Sequence, residues 1–459
     1  MNKIILKTAI ILTVFTLNLF SQEFRWEIAE EIIKDIRVPN FPNSEYNILN
    51  YGAIGDGNYD CTEAIKRTIE ICNTNGGGKV IIPEGVFLTG SIYLKSNVNL
   101  HVSKNAILKF SVDTEKYLPV VLSRWEGVEC MNYSSLVYAN NEQNIAITGE
   151  GILDGQGNNK NWWWWKGLKE YGWEEGVPNQ KSSRDKLFKM NDENIPANNR
   201  IMGKGEYLRP NFVQFYYCEN ILISGVKFID SPMWFINPVQ CKNITIDGVK
   251  IEGLGPNNDG CNPESCENVL ISNCFFNTGD DCIAIKSGRN NDGRRIGIPS
   301  KNIVIRNCKM EEGHGGIVMG SEISGGVKNV FVEGCEMNSP NLDRAIRIKT
   351  NSVRGGFVEN IYVRNIKIGE VKEAILKINF YYEEGDKGEY TPKAKNITLE
   401  NITSQKSDYA ILIRAYEREK IEGVRIIDCR FNNVKNESIL ENVELPFYQN
   451  YFVNCKQVK

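Results

Sequence analysis

Carboxylates, a histidine and two basic residues occur in short phrases in the second half of this 459-residue chain. Three carboxylates brought close together raise one another's pKa values, and environments that push such values apart create an acid and a base. An acid that protonates a leaving oxygen and a carboxylate that activates water together hydrolyse glycosidic bonds. Neighbouring arginine and lysine side chains would bind an anionic sugar such as a uronate. The phrases are Asn257-Asn258-Asp259, Gly279-Asp280-Asp281, His314-Gly315 and Arg347-Ile348-Lys349.

The spacing of these phrases follows a repeat, in which an asparagine precedes a short run of alternating apolar residues. Asp280 and His314 each lie twelve residues after the asparagine that opens their repeat, Asn268 and Asn302 respectively. Equal offsets place the two side chains at the same position on neighbouring turns of a repeating fold. Asp259 precedes Asp280 by 21 residues, which is close to one repeat, so we expect it on the adjoining turn.

The basic residues come from the next repeat, where Arg347 and Lys349 alternate with Ile346 and Ile348. Alternation with period two puts the basic side chains on one face of a strand and the isoleucines in the core. The sequence therefore predicts a single patch of three carboxylates, one histidine, one arginine and one lysine. Two non-catalytic interpretations stay open, a surface ladder of aspartates and a calcium site.

The repeats also predict the fold that must position this patch. From Asn220 onward, successive copies begin 23, 25, 34, 27, 31 and 36 residues apart, and each holds Ile- and Val-rich runs of period two. A propeller blade needs four strands in about 40–45 residues, and the shortest copies are too short for that. We therefore predict an all-β chain folded as a parallel β-helix, a solenoid whose leading asparagines form a hydrogen-bonded ladder with left-handed backbone.

Two segments depart from the repeat. Asp60–Cys72 has helical periodicity, and we predict an N-terminal helix that caps the open end of the solenoid. Residues 155–210 are polar, aromatic and not repetitive, which indicates a long excursion from the coils. Within that excursion, Trp162–Trp165 would either stack on a sugar or pack against the flank of the solenoid.

The cysteines fit a solenoid interior better than a disulfide framework. Their number, 13, is odd, so complete pairing within one chain is excluded. Cys274, Cys308 and Cys335 each lie six residues after their leading asparagine, and we expect them to stack inside as small apolar side chains. Cys261 and Cys266 form the one close pair, for which a disulfide stays open.

Composition and the N-terminus bound the class of protein. The chain has 54 Lys+Arg against 57 Asp+Glu, which argues against a nucleic-acid partner, and its 2 His leave little room for a His-rich metal site. We predict neither a metal nor a cofactor. Residues 1–21 have the charged, apolar and small-residue pattern of a signal peptide, the alternative being an uncleaved anchor helix. We expect residues 22–459 to form a single domain in the periplasm or outside the cell, without a transmembrane segment after cleavage and with no oligomeric state set by the sequence.

At the four phrases the chain resembles family 28 glycoside hydrolases, the polygalacturonase family, and in particular the bacterial exo-polygalacturonases. That family carries Asn-Thr-Asp, Gly-Asp-Asp, His-Gly and Arg-Ile-Lys on successive coils of a right-handed parallel β-helix. Here Asn258 replaces the usual threonine, and the likeness runs from about Tyr46 to the C-terminus. The resemblance implies an inverting hydrolase that cleaves α-1,4-linked galacturonic acid in pectin, with a pectic polysaccharide or an oligogalacturonide as its substrate.

The resemblance also implies a role for each matching residue. Asp280 is expected to be the general acid, and Asp259 and Asp281 are expected to position and activate water. His314 is expected to tune the protonation of the acid. The family also has a sugar-binding tyrosine, for which Tyr382 is the candidate and Tyr381 the alternative. The residues expected to bind substrate are Asn257, Arg347, Lys349 and Tyr382, with the two basic residues on a galacturonate carboxylate beyond the cleavage point.

Three other functions stay open at this point. They are hydrolysis of rhamnogalacturonan or another uronate side chain within the same family, elimination by a pectin lyase, and non-catalytic binding of polysaccharide. Endo and exo action differ in whether one end of the cleft is blocked. Arg289–Gly297 and the excursion at residues 155–210 lengthen the walls beside the patch, and we expect exo action.

Overall fold

The coils of this protein stack in register as a parallel β-helix. The computed structural model describes residues 26–459, and the predicted signal peptide at residues 1–21 lies outside the described residues. Ile271 pairs with Ile305, and Ile305 with Val332, each one coil further along. Crossovers that join parallel strands of one sheet are right-handed. The prediction of an all-β, right-handed parallel β-helix is therefore confirmed.

Three faces run the length of the solenoid. The ladder face consists of Glu45–Asn47, Gly78–Ile82, Val98–Val102, Gln143–Gly149, Glu219–Ser224, Lys242–Asp247, Glu267–Ser272, Ser300–Arg306, Val327–Glu333, Phe357–Glu370, Lys393–Arg414, Glu422–Ile427 and Phe447–Gln449. The back face consists of Asp56–Asp60, Gly85–Thr89, Ala106–Phe110, Ile152–Asp154, Lys227–Ile229, Lys250–Gly253, Phe275–Thr278, Lys309–Met310, Glu336–Met337, Arg430–Phe431, Phe452–Val453 and Lys456–Gln457. The long strands Phe357–Glu370 and Lys393–Arg414 turn corners and continue onto the next face.

The third face, called the site face, carries the predicted patch. Its strands are Ile92–Tyr93, Val137–Asn140, Val213–Tyr216, Ile236–Val239, Ile283–Ile285, Ile317–Gly320, Arg344–Lys349, Ala374–Asn379, Val434–Asn436 and Ile439–Glu441. Cys261 bridges Ile236 on one side and Ile283 on the other, so the coil that holds Asp259 belongs to the same face. A small separate sheet, Val121–Trp125, Val128–Asn132 and Ile201–Met202, lies beside it.

The predicted asparagine ladder is present at one corner of the ladder face. Asn302 Nδ2 donates to Asn268 Oδ1 at 3.1 Å, and Asn329 Nδ2 donates to Asn302 Oδ1 at 3.1 Å. Each ladder asparagine has a positive φ of 54° to 62°, a conformation that asparagine tolerates better than other non-glycine residues. The full run is Asn97, Asn144, Asn220, Asn243, Asn268, Asn302, Asn329, Asn360 and Asn396.

Helices cover the solenoid at three places. Residues 26–35 (α1) lie against the outside of the ladder face, where Trp26 and Ile32 pack on Val304 and Phe331. The repeat pattern gave no sign of this helix. Thr62–Thr74 (α2) buries Ile65, Ile69 and Cys72 on one side and caps the N-terminal end, as predicted for residues 60–72. Lys181–Asp192 (α3) and Asn290–Ile296 (α4) lie beside the site face. Single turns of 3-10 helix occur at Ile48–Tyr51, Thr114–Tyr117, Trp163–Lys166, Lys169–Tyr171 and Ala197–Asn199.

The interior is apolar and includes most of the cysteines. Cys274, Cys308 and Cys335 are buried on successive coils, as predicted from their equal offsets. Cys261 and Cys266 are buried free thiols, so the disulfide left open by their spacing is not formed. Within residues 26–459, no helix combines the length and apolar character needed to cross a membrane.

Candidate active site

A cavity of about 350 Å³ opens on the site face, and all eight predicted site residues line it. That volume lies within the range of small-molecule binding sites, about 300–1,000 Å³. The predicted residues are Asn257, Asp259, Asp280, Asp281, His314, Arg347, Lys349 and Tyr382. The other lining residues, none of which was predicted as a site residue, are Glu126, Lys166, Arg184, Trp234, Lys286, Ser321, Glu322, Asp343, Arg344 and Glu383.

Backbone pairing between coils brings the three carboxylates together. Gly260 N donates to Asp281 O at 3.0 Å, which sets Asp259 beside Asp281 on neighbouring coils. His314 N donates to Asp280 O at 3.1 Å, and the His314 Nδ1 to Asp280 Oδ1 distance is 3.0 Å. The equal offsets of Asp280 and His314 from their leading asparagines therefore place the two side chains in direct contact.

Burial separates the protonation behaviour of Asp259 from that of Asp280. Burial, followed by the charge of Asp280, raises the pKa of Asp259 well above its usual range, although Lys286 opposes the shift. Burial alone would also raise the pKa of Asp280, but the hydrogen bond and charge of His314 hold it below its usual range. The carboxyl with the raised pKa is thus Asp259, because Asp280 has a cationic partner in contact.

Asp281 lies between two basic side chains. Lys349 Nζ donates to Asp281 Oδ2 at 2.6 Å, and Arg347 Nη1 lies 3.5 Å from Asp281 Oδ1. Ile346 and Ile348 point into the core, so the predicted alternation is present. Asp281 is therefore paired with both members of the basic pair.

Tyr382 covers the basic pair, Arg347 and Lys349. Its ring centre is 5.4 Å from the guanidinium carbon and 5.2 Å from the ammonium nitrogen. Tyr381 packs edge-on against Tyr416 at 4.9 Å and is not among the lining residues. Of the two tyrosines that competed on sequence, the cavity contains Tyr382.

The carboxylates already have basic partners, which disfavours the calcium interpretation of the patch. Asp259 Oδ2 is 3.6 Å from Lys286 Nζ, Asp280 contacts His314, and Asp281 contacts Lys349. A calcium ion needs six to eight oxygen ligands, and ammonium and imidazole groups occupy positions that those oxygens would need.

Comparison with known proteins identifies the family. The sequence model of Glycosyl hydrolases family 28 matches residues 193–451, more than half of the chain. This chain belongs to glycosyl hydrolase family 28. It is 30% identical over 396 residues to a probable polygalacturonase of Vitis vinifera, covering 83% of this chain and 72% of that protein. It is 28% identical over 386 residues to an exo-poly-alpha-D-galacturonosidase of Dickeya chrysanthemi, covering 79% of this chain and 62% of that protein.

Solved structures give the same result for this family 28 glycoside hydrolase. The hyperthermoactive exopolygalacturonase of Thermotoga maritima is 46% identical, with a TM-score of 0.89 over 93% of this chain and 96% of that one. The polygalacturonase of Erwinia carotovora shares the fold at 21% identity, with a TM-score of 0.64 over 89% of this chain and 98% of that one.

Asn258, which replaces the usual threonine of the family signature, has a structural role. Asn258 is fully buried, its Nδ2 donates to the carbonyl oxygens of Ser231 and Met233, and its Oδ1 accepts from Gly255 N at 2.9 Å. The side chain therefore ties its turn to the preceding coil and faces away from the cavity.

The excursion and the turn that holds Glu126 form one wall of the cavity in this family 28 enzyme. Arg184 of α3 pairs with Glu126 at 2.9 Å and stacks on the Phe188 ring at 4.4 Å. A buried ion pair, Arg200 Nη1 to Asp292 Oδ2 at 2.6 Å, joins the excursion to α4. These residues lie outside the repeats, so no equal offset could have linked them to the site.

Lys286 is a buried cation at the floor of the cavity. Its position could have been predicted from the register of the site-face strands. It occupies the strand position that Lys349 occupies two coils later, with Gly320 between them. Its Nζ donates to Glu322 Oε2 at 3.0 Å and lies 4.6 Å from the Trp234 ring centre. The alternation that placed the basic pair also applies to Ile283–Ile285. It puts Lys286, the next residue, on the outer face of the strand.

The four consecutive tryptophans pack against the flank of the solenoid. Trp162 and Trp165 are buried with ring centres 5.1 Å apart, and Trp163 Nε1 donates to Ser231 O at 2.9 Å. None of the four is among the lining residues of the cavity. Of the two interpretations that the sequence left open, packing accounts for this run. Trp234, by contrast, lines the cavity.

Proposed function

We propose that this family 28 glycoside hydrolase is an exo-acting, inverting polygalacturonase that cleaves α-1,4-linked galacturonic acid in pectin. The observation that carries the proposal is one cavity in which a carboxyl–imidazole pair, a buried carboxyl pair and a basic pair lie on successive coils. The names of the Vitis, Dickeya and Thermotoga proteins support the substrate and the exo mode.

Asp280 is the general acid of this proposal. Its side chain is 17% exposed toward the cavity, whereas the side chains of Asp259 and Asp281 are 3% and 1% exposed. Asp280 Oδ1 and His314 Nδ1 hold one proton between them, either as an ion pair or as a neutral acid beside a neutral imidazole. When the glycosidic oxygen approaches Asp280, that proton passes to the oxygen as the bond to the sugar breaks.

Asp259 and Asp281 hold the attacking water. Adjacent coils are about 4.8 Å apart, so one water can contact both carboxyl groups. Asp259, which lies beside Asp281 on the neighbouring coil, positions the water. Asp281 accepts a proton from the water as the new bond forms on the face opposite the leaving oxygen, which inverts the anomeric configuration.

The basic pair and Asn257 position the substrate. Arginine presents a planar fork that matches a carboxylate, so Arg347 with Lys349 suits the uronate on the leaving side of the scissile bond. Tyr382, over this pair, supplies an apolar ring for the sugar. Because Asp281 contacts the same two cations, uronate binding also brings the substrate next to the water-activating carboxylates.

The segments beside the cavity support exo action. Arg184, Glu126 and Glu383 line the cavity, and they belong to segments outside the regular coils. In this proposal the wall blocks one end of the cleft, so that only a chain end enters. The N-terminal pattern at residues 1–21 supports work in the periplasm or outside the cell.

The test is a time course of products from polygalacturonate and from rhamnogalacturonan, separated by anion-exchange chromatography. We expect a single short product from polygalacturonate at the earliest time points, and proton NMR should show it first as the β-anomer. A ladder of oligomers would overturn exo action, and cleavage of rhamnogalacturonan alone would overturn the substrate. Products with a new ultraviolet-absorbing double bond would identify a lyase.

A further inference from the structure

Lys166 differs from the other cations that line the cavity. It ends the 3-10 turn Trp163–Lys166 of the excursion, and its Nζ donates to Asn257 Oδ1 at 2.7 Å. In the part of the chain that the structure describes, no carboxylate oxygen lies within 4 Å of this nitrogen, whereas every other lining cation has one. Those other cations are Arg184, Lys286, Arg344, Arg347 and Lys349.

A second cation lies directly behind this position. Arg209 is fully buried and donates to the carbonyl oxygens of Pro232 at 2.9 Å and Pro256 at 2.6 Å. Its Nη2 donates to Asn257 Oδ1 at 2.8 Å, on the same oxygen that Lys166 reaches. Two cationic donors on Oδ1 fix the amide orientation of Asn257, so its NH₂ group is the part left for a ligand.

The electrostatics of this corner favour an added anion. Burial lowers the pKa of Lys166, with Glu126 opposing the shift, and burial lowers the pKa of Arg209 to about 10. A buried cation without an anionic partner is unfavourable, and an anion that enters the cavity would relieve that cost for both groups.

The position along the solenoid selects which anion this is. Asn257 lies on the coil before that of Asp280. The basic pair lies two coils after Asp280. The acid therefore lies between two cationic positions. A polyuronate carries one carboxylate on every unit, so two units joined by the scissile bond present one carboxylate to each position.

We propose that Lys166 and Asn257 bind the carboxylate of the uronate on the non-leaving side of the scissile bond, opposite the basic pair. This inference rests on the proposed polygalacturonase function. Arg209 is a positioning residue that holds Asn257, and Lys166 is the residue that selects a uronate over a neutral sugar on that side.

The experiment compares three trigalacturonates: unesterified, methyl-esterified on the unit before the cleaved bond, and methyl-esterified on the unit after it. Lys166→Met should lower kcat/KM roughly 10- to 100-fold on the unesterified substrate, the range for one hydrogen bond to a charged group. It should cause little further loss when the non-leaving unit is already esterified. Lys166→Arg should recover part of the activity, and Lys169→Met, an exposed lysine three residues further on, is the matched control.

Each other outcome overturns the inference. Equal loss on all three substrates would mean that Lys166 only supports the fold of the excursion, and circular dichroism with thermal unfolding would show it. A loss that tracks the ester on the leaving unit would place Lys166 on the wrong side. Unchanged activity of Lys166→Met would remove it from binding while leaving the proposed function intact, whereas an inactive wild-type chain would overturn the proposed function itself.

Discussion

The ladder corner and the active site are two stacks built on the same coils, and they differ in what each coil contributes. At the corner, Asn268, Asn302 and Asn329 share one backbone conformation, with φ between 57° and 58°, and each amide bonds the next. On the site face, the same coils contribute Asp280 and His314, so neighbours carry opposite charge instead of the same amide.

The difference separates stability from function in this solenoid. A neutral side chain repeated in register satisfies its donors and acceptors by contact with its own copies. Charged side chains in register leave some groups in unfavourable surroundings, as the raised pKa of Asp259 shows. Such a cost is typical of sites that act on a substrate, so changes at the site should alter activity and changes at the ladder should alter stability.

Asp280→Asn should have the largest effect of any single change at either stack. The amide keeps the shape of the side chain but cannot donate the proton that the leaving oxygen needs, so kcat should fall about 10²- to 10⁴-fold. Thermal unfolding should show some loss of stability, because the change removes the charged partner of His314, and circular dichroism should show that the protein is still folded. Hydrolysis of oligogalacturonide at near-normal rate by a folded Asp280→Asn protein would refute the acid assignment.

His314→Gln should change the pH profile of activity. The hydrogen bond and charge of Asp280 raise the pKa of His314, so the shared proton is retained below that raised value and lost as pH increases through it. Without the imidazole, the proton depends on Asp280 alone, so the alkaline limb of kcat should move to lower pH. At neutral pH we expect a loss of roughly 10- to 100-fold.

The same pair sets a window of stability that serves as a control for this variant. The depressed pKa of Asp280 contributes stability above the usual range of aspartate, and that contribution disappears as pH falls through the depressed value. The raised pKa of His314 contributes stability that is complete below its unfolded value and disappears as pH rises. The stability lost in His314→Gln should therefore be greatest between about pH 4 and 6.5. A pH-independent difference in Tm would argue against the ion pair.

Asn302→Ala should lower stability and leave kcat unchanged. Asn302 accepts from Asn329 and donates to Asn268, and its φ of 58° is unfavourable for alanine. Two lost hydrogen bonds and the strained backbone should together lower the free energy of unfolding by about 2–4 kcal/mol. Asn302→Gly keeps the backbone free and should lose about half as much. A kcat change as large as the stability change would show that the two stacks are not separable.

Equal offsets in the sequence predicted most of the site because a solenoid converts sequence position into spatial position. Asp280, His314 and the basic pair could be placed together for that reason, and so could the ladder. The wall residues Lys166 and Arg184 come from the irregular excursion, whose path depends on packing such as that of Trp165, and no offset encodes it. Helix α1 was not predicted for the same reason, since it covers the solenoid from outside the repeats.

The protonation of the carboxylates is a second feature that the spacing of the sequence could not predict. The sequence showed that three carboxylates would crowd together, but which of them keeps a proton depends on contacts of a few ångströms. His314 at 3.0 Å from Asp280 and Lys286 at 3.6 Å from Asp259 decide it, together with burial. Spacing of about one coil cannot resolve distances of that size, so the raised pKa of Asp259 required the structure.

The smallest predicted effect is a gain at the end of the ladder. Gly423 follows Asn396 in register with a φ of 65°, so the last coil keeps the ladder backbone without the ladder side chain. A Cβ there would lie 2.9 Å from Asn396 Oδ1, close enough that the amide of Asn396 must shift slightly to accept a new bond. Gly423→Asn should raise the free energy of unfolding by about 0.5 kcal/mol, whereas Gly423→Ala, with the same backbone strain and no amide, should lower it. Because stability in a solenoid is close to a sum of neighbour terms, a gain from asparagine alone would show that repetition itself stabilises this corner. Equal losses from both variants would show that the left-handed backbone, and not the amide chain, is what the ladder positions select.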